Sequence, residues 1–304
     1  MNRQTSGVAE MVAAMAISGT VGWLVVVSQQ AVVDLIFWRC VFGAATLGLV
    51  CAALGLLRGQ LTPRVLAWAA LGGVALVLNW WLIFAAFSHA SISVATAVYN
   101  TQPFMLVAFG ALWFSEKLTA TKLGWLGIAF AGILLIAQAK PGAERDGAHY
   151  LLGILMALGA AFFYAVAAMV TKKLQGTPPH LIALIQVCVG SLMLAPFAHL
   201  SQLPHDASSW AALVAMGVVY TGVVYILLYG AIQKLPTHLT AALTFIYPVV
   251  AIVVDYLAFG QRLQTAQLLG AAAILIAAAG TTLGWSFRRP RATSQACEAG
   301  PCRS

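Results

Sequence analysis

Long apolar runs, separated by short polar segments, recur along the whole chain. Marking these runs against charged and turn-forming residues predicts ten helices of about twenty residues each, the length that crosses a lipid bilayer. A membrane β-barrel is excluded, because its strands would be about ten residues long with alternating polarity. The predicted helices cover about residues 8–28, 33–57, 65–86, 92–114, 121–139, 150–174, 180–199, 209–231, 237–259 and 265–287.

Lysine and arginine side chains are distributed unevenly between the two sides of these helices. With both chain ends on one side, twelve of these residues lie on that side, three lie on the other, and Arg39 lies inside a helix. Because translocation of positive charge is unfavourable, the richer side is expected to be cytoplasmic. The sequence therefore predicts a multi-pass protein of a bacterial-type inner (plasma) membrane with cytoplasmic N and C termini.

The second half of the chain repeats the first. The repeat is found by placing Pro248 over Pro103, an offset of 145 residues (248 − 103). The same offset aligns Gly72 with Gly217, Phe84 with Tyr229, Phe114 with Phe259, and Lys117 with Arg262, and an offset of 147 aligns Arg39 with Gln186 and Gly43 with Gly190.

Each copy of the repeat holds five helices, so the second copy must cross the membrane in the opposite sense. Inverted repeats of this kind are typical of secondary transporters. We therefore predict an all-α integral membrane protein in which two inverted five-helix repeats form a basket-like bundle around a central cavity. Residues 1–145 form the first repeat, residues 146–289 the second, and the polar residues 290–304 a disordered cytoplasmic tail.

Composition narrows the function classes. The chain is 62% hydrophobic and only 8% charged, with a mean hydropathy of +0.91, far from the values of soluble domains. Its net charge of +8 is explained by topology and by attraction to anionic lipid rather than by nucleic-acid binding. The sequence contains no glycine-rich phosphate loop, no nucleophile elbow and no closely spaced metal ligands. We expect no catalytic residues, no metal and no cofactor.

Several segments together resemble the drug/metabolite transporter superfamily. They are the apolar-x-Arg segment Phe37-Trp38-Arg39, the segment Phe114-Ser115-Glu116-Lys117-Leu118-Thr119 that follows the Pro103 helix, and its echo Phe259-Gly260-Gln261-Arg262-Leu263. Over residues 8–287 the chain is similar to the EamA branch of that superfamily, which includes amino-acid and metabolite exporters. The resemblance implies ten helices, cytoplasmic ends and export of small organic molecules.

Polar side chains at mid-depth are the candidate substrate-binding residues. Helical spacing places Tyr99 and Gln102 on one face of the fourth helix, and the repeat carries this face onto Thr244 and Tyr247. Hydrocarbon offers no hydrogen-bond partner, so such stripes face protein or a water-filled cavity. We expect them to line the central cavity, the alternative being hydrogen bonds between packed helices. Further candidates at similar depth are Asn79, Trp80, Tyr164, Tyr220 and Tyr225.

Four other residues are candidates for gating or coupling. Pro103 and Pro248 each free a backbone carbonyl one turn upstream, and act as hinges, as cavity acceptors or simply as kinks. Arg39 and Asp255 are charges inside predicted helices, which are functional by default. They are expected to pair as an outer gate, with Asp255 as a proton-coupling group, or Arg39 receives a substrate carboxylate. The alternative is that both reach outer water. Glu10 and Glu116 are predicted to be interfacial charges.

The sequence favours a secondary exporter of small organic metabolites that works by alternating access. Aromatic side chains near mid-helix suit flat or apolar substrate groups, and amides suit amino or carboxylate groups, so amino acids with aromatic or other hydrophobic side chains are the leading substrates. Protons are a candidate coupling ion. The alternatives are an exporter of riboflavin-like molecules, nucleosides or drugs, a membrane-embedded lipid-modifying enzyme, and a helical membrane subunit without a cavity.

Overall fold

The computed structural model consists mainly of helices. It describes residues 2–57, 61–89, 95, 98–138, 147–199, 204, 206–259 and 265–285. Within these ranges every predicted span contains helix. The helices are α1 (Arg3–Gly19), α2 (Val21–Ser28), α3 (Val32–Ala53), α4 (Pro63–His89), α5 (Gln102–Phe114), α6 (Ala120–Gln138), α7 (Gly147–Lys173), α8 (Pro179–Leu194), α9 (Ala207–Gly217), α10 (Val224–Lys234), α11 (Thr237–Thr244), α12 (Ile246–Phe259) and α13 (Thr265–Leu283).

Length and apolar composition make most of these elements suitable for a bilayer. Among the described residues, six helical segments are long and apolar enough to cross a membrane, and four shorter apolar helices accompany them. Large apolar side chains such as Leu49, Leu112, Leu192 and Leu257 are exposed on the outer surface of the bundle, as contact with lipid requires. The all-helical membrane fold predicted from the sequence is confirmed.

Several of the predicted spans are interrupted within the described residues. α1 and α2 are separated at Thr20, α11 and α12 are separated at Phe245, and a π-helix over Val218–Val223 joins α9 to α10. A π-helix places one extra residue in a turn, and such insertions are frequent at functional sites. The interruptions divide single spans into halves whose side chains face different neighbours.

Both repeat prolines lie directly after a break. A proline has no backbone N–H, so the carbonyl four residues earlier loses its helical partner. α12 resumes just before Pro248, after the break at Phe245, and α5 begins at Gln102, after a turn over Asn100 and Thr101. Helix breaks therefore precede Pro103 and Pro248 at matching places in the two halves, while their roles as kinks, hinges or acceptors stay predictions.

Glycines allow close approach between helices of the two halves. A Cβ on Gly217 would lie 2.2 Å from the Cβ of Phe42 and 2.9 Å from the backbone nitrogen of Gly43, so α9 and α3 touch through their backbones. A Cβ on Gly73 would lie 2.9 Å from the Cα of Gln186, so α4 and α8 touch in the same way. The repeat relates these two contacts to each other, because Gly217 of α9 aligns with Gly72 of α4, and Gly43 of α3 aligns with Gly190 of α8.

Candidate functional site

A buried arginine lies at the contact between α3 and the π-helix. Arg39 is 8% exposed, its Nε donates to Thr221 Oγ1 at 2.9 Å, and its Nη2 donates to the carbonyl oxygen of Tyr220 at 3.1 Å. The guanidinium carbon is 4.2 Å from the centre of the Trp80 ring and 6.0 Å from that of Tyr225. These five residues are called the arginine cage below.

The local backbone explains why Arg39 finds acceptors at this depth. In the π-helix the hydroxyl of Thr221 donates to the carbonyl oxygen of Met216, five residues earlier, at 3.0 Å. Tyr220 lies in the same irregular turn, and its carbonyl oxygen, which has two lone pairs, accepts from the Arg39 side chain. The small residue Gly217 brings α3 close enough for Arg39 to reach it.

The arginine cage is also joined to the first break. Thr20 lies between α1 and α2, and its hydroxyl is hydrogen-bonded to the hydroxyl of Tyr220. The hydroxyl of Thr20 also donates to the carbonyl oxygen of Ile17 at 2.8 Å. Two interrupted spans therefore meet at Tyr220, and a movement of either break would alter the surroundings of Arg39.

A second group, called the tyrosine cluster, adjoins the arginine cage. It consists of Asn79, Tyr99, Tyr164, Tyr225 and Tyr229. The Nδ2 of Asn79 donates to the Tyr99 hydroxyl at 3.1 Å, and the Tyr99 and Tyr164 rings meet edge to face at 6.4 Å. The Tyr225 and Tyr229 rings are 5.1 Å apart. Tyr225 belongs to both groups, and its ring also meets that of Trp80 at 6.0 Å.

The tyrosine cluster borders a small crevice. Its walls are Leu76, Tyr164, Ala167, Ala168, Tyr225, Leu228, Tyr229 and Ile232, and it has room for about one water molecule. The described side chains around it are packed against one another, and a larger central cavity stays a prediction. A ligand larger than water requires the aromatic rings to move apart.

Tertiary structure thus brings together most of the predicted site. Arg39, Asn79, Trp80, Tyr99, Tyr164, Tyr220 and Tyr225 all fall in the arginine cage or the tyrosine cluster.

The remaining candidates belong to neither the arginine cage nor the tyrosine cluster. Thr244 is buried and donates its hydroxyl to the carbonyl oxygen of Ala241 at 2.6 Å, within its own helix. Gln102 is buried, and its Oε1 has no hydrogen-bond partner among the described residues. Tyr247 is half-buried, and its backbone carbonyl faces Gly19. Asp255 belongs to α12, but its side chain, and hence its pairing with Arg39, lies outside the described residues.

Tyr229 was not predicted as a site residue. Its hydroxyl donates to Oε1 of Gln186, the residue that the repeat aligns with Arg39, and its ring lines the crevice. The sequence did hold a signal, because Tyr225 and Tyr229 are four residues apart and so share a helix face. The Nε2 of Gln186 is buried without a hydrogen-bond partner among the described residues.

Ionic contacts close the amino-terminal end of the bundle, defined as the end at which α1 begins. Glu116 follows α5, and its Oε1 accepts from the Nζ of Lys172 at 2.5 Å. Its Oε2 accepts from the backbone N–H of Thr237 at 3.0 Å, at the first residue of α11. At the same end, the carboxylate of Glu10 pairs with the ammonium of Lys234.

The surroundings of Glu116 alter its acidity. Burial raises the pKa of this carboxyl, but the hydrogen bonds from Lys172 and Thr237 and the positive charge of Lys172 outweigh burial, so its pKa lies below the usual value. The carboxylate also faces the positive end of the α11 dipole. Glu116 therefore links α5, α7 and α11 through its charge and hydrogen bonds, whereas the sequence predicts only an interfacial charge.

Metal ligation has no candidate in the described part of the chain, where no three His, Cys, Asp or Glu side chains come together.

Comparison with known proteins gives a family and several relatives. Residues 5–138 and residues 151–283 each match the EamA-like transporter family. The "Uncharacterized transporter YxxF" of Bacillus subtilis (strain 168) is 28% identical over 270 residues, which are 88% of this chain and 86% of that protein. The "Probable amino-acid metabolite efflux pump" of Salmonella typhimurium is 26% identical over 64% of this chain and 69% of that protein.

A more distant relative has a more specific name. The "Aromatic amino acid exporter YddG" of Ancylobacter novellus is 23% identical over 55% of this chain and 59% of that protein. Among solved structures, one titled "Crystal structure of protein" superimposes with a TM-score of 0.80 at 20% identity, covering 92% of this chain and 97% of that one. At that identity the superposition shows the fold alone.

Proposed function

Because the chain belongs to the EamA-like transporter family, we propose that it exports amino acids with aromatic or other hydrophobic side chains from the cytoplasm. Transport proceeds by alternating access of two inverted halves, residues 1–145 and 146–289, around the arginine cage and the tyrosine cluster. Two of its relatives are named as exporters, one as a probable amino-acid metabolite efflux pump and one as an aromatic amino acid exporter, and this supports the proposal.

One observation supports this substrate class above the others. A cationic side chain and a group of aromatic rings adjoin each other between the helices, sharing Tyr225. A carboxylate is attracted to a guanidinium, while an aromatic or aliphatic group gains from burial against tyrosine rings. An amino acid with an apolar side chain carries both groups. Riboflavin-like molecules and most drugs lack the carboxylate.

The proposal includes the membrane and the orientation. The protein lies in a bacterial-type inner (plasma) membrane with its N and C termini in the cytoplasm, because its lysines and arginines are concentrated on that side. The amino-terminal end, closed by Glu116 and Lys172, then faces the cytoplasm. Protons are the proposed coupling ion, and the substrate gradient alone is the alternative source of energy.

Purified protein in liposomes tests the proposal. Uptake of a panel of labelled amino acids is measured with and without a pH gradient, against liposomes without protein. We expect saturable uptake of aromatic and branched amino acids, and Tyr225→Ala to reduce it at least tenfold. Tyr256→Ala, which changes an exposed tyrosine on α12, is the matched control and should transport normally. Absence of transport for every amino acid in the panel would refute the proposal.

A further inference from the structure

The structure assigns Arg39 as the residue that binds the carboxylate of the substrate, with the aromatic group of the substrate placed in the neighbouring tyrosine cluster. This inference rests on the proposed function and specifies its chemistry: the ligand is an organic carboxylate with an apolar group attached. The arginine cage and the crevice together supply the two ends of the site.

The hydrogen bonds of Arg39 leave one edge of its guanidinium available. Nε and Nη2 lie on the same edge, and this edge is taken by Thr221 and by the Tyr220 carbonyl. A guanidinium has five N–H donors. The edge formed by Nη1 and the second hydrogen of Nη2 makes no hydrogen bond to the described residues. That edge has the two parallel donors that a carboxylate accepts in bidentate fashion.

The charge of Arg39 also lacks a counter-ion in the described part of the protein. Its partners there are a hydroxyl, a carbonyl and two aromatic rings, all of them neutral. A buried charge is costly unless it is paired, and the cost is larger in a membrane protein than at a protein surface. A substrate carboxylate would supply the missing negative charge, so the cage gains stability when the ligand arrives.

The geometry of the cage orients the substrate. Thr221 and the Tyr220 carbonyl hold one edge of Arg39, and Trp80 covers its plane at 4.2 Å. Preorganised donors of this kind reduce the entropy that binding must overcome. Tyr225, whose ring centre is 6.0 Å from the guanidinium carbon, also lines the crevice together with Tyr164 and Tyr229, so the remainder of a molecule held by Arg39 has these rings within reach.

Direct binding to the full-length protein in nanodiscs tests the inference with three probes. L-phenylalanine carries both an amine and a carboxylate, phenethylamine lacks the carboxylate, and 3-phenylpropionate lacks the amine. We expect wild-type protein to bind both carboxylates more tightly than phenethylamine. In Arg39→Gln the affinity for the carboxylates should fall about ten- to a hundredfold, the loss of a charge-assisted pair, while that for phenethylamine changes less than threefold.

Two further variants separate recognition from folding. Arg39→Lys keeps the positive charge but not the two parallel donors, so it should also lose at least fivefold in carboxylate affinity, and it serves if Arg39→Gln does not fold. Arg64→Gln removes an exposed arginine of α4 and should bind all three probes as wild type does. Size-exclusion chromatography of each variant checks that the protein is folded.

The outcomes distinguish this inference from the proposed function. Equal affinity of wild type for phenethylamine and L-phenylalanine would overturn the role of Arg39, as would an unchanged preference for carboxylates in both Arg39 variants. If wild type binds 3-phenylpropionate but not L-phenylalanine, the carboxylate site is supported and amino-acid export is contradicted. Failure of wild type to bind any of the three probes would overturn the inference, while transport of other amino acids in liposomes would still support the function.

Discussion

Lys172 and Glu116 are 56 residues apart in the sequence, and yet they form a 2.5 Å ion pair. The pair joins the end of α7 to the segment after α5, and through Thr237 it also holds the start of α11. Both side chains are largely shielded from solvent, with 11% and 18% exposure. One carboxylate therefore joins the end of α7, the segment after α5 and the start of α11 at the amino-terminal end of the bundle.

Removing the charge of Glu116 should destabilise the protein. Glu116→Gln loses the ion pair and leaves the largely buried ammonium of Lys172 without its carboxylate, which we expect to cost about 1–3 kcal/mol. The loss is measured as a lower Tm of the purified protein in detergent. Lys117→Gln changes the exposed neighbouring residue and is the control. An unaltered Tm in Glu116→Gln would show that the pair contributes nothing to stability.

The Glu116 carboxylate should also make the stability of the folded protein depend on pH. Its pKa is lower in the folded protein than in the unfolded chain, so its contribution is present above the unfolded value, near 4.5, and is lost as pH falls through the folded value. We expect the Tm of wild type to drop more steeply below pH 4.5 than that of Glu116→Gln. Parallel Tm profiles for the two proteins would contradict this assignment.

A methyl group on Gly217 should disturb the contact beneath the arginine cage. Its Cβ would meet the Cβ of Phe42 at 2.2 Å, which no real contact allows, so α3 and α9 must separate. Overpacking of this kind costs about 1–3 kcal/mol, and we expect Gly217→Ala to lower both Tm and carboxylate affinity. Gly127→Ala is the matched control, because nothing lies within 4 Å of its added Cβ. Equal Tm values for the two variants would be inconsistent with the close contact.

Asp255 remains the predicted proton-coupling residue. Asp255→Asn should abolish any dependence of transport on a pH gradient, because an amide does not titrate, while folded protein stays in the membrane. Uptake by liposomes with and without the gradient measures the effect, and counterflow of substrate without a gradient serves as the control for an intact site. A pH dependence identical to that of wild type would exclude the role.

The sequence by itself determined the class of fold and indicated several of the side chains that meet between the helices, although Tyr229 was not among them. Apolar runs long enough to cross a bilayer placed the helices, because hydrocarbon tolerates only backbone whose hydrogen bonds are internally satisfied. Pro103 and Pro248 marked the breaks, since each removes a helical hydrogen bond. Arg39 and the mid-helix aromatic residues were conspicuous because polar groups at that depth are costly without a partner.

Only the tertiary structure decided which groups meet. Arg39 reaches Thr221 across 182 residues, and Glu116 reaches Thr237 across 121, so both contacts depend on how the helices pack and not on local spacing. The π-helix over Val218–Val223 is equally invisible in the sequence, because its apolar residues fit a regular helix as well. Yet Tyr220, whose carbonyl accepts from Arg39, lies within this irregular turn. The sequence supplies the buried charge, and helix packing determines which of its donors remain available to a ligand.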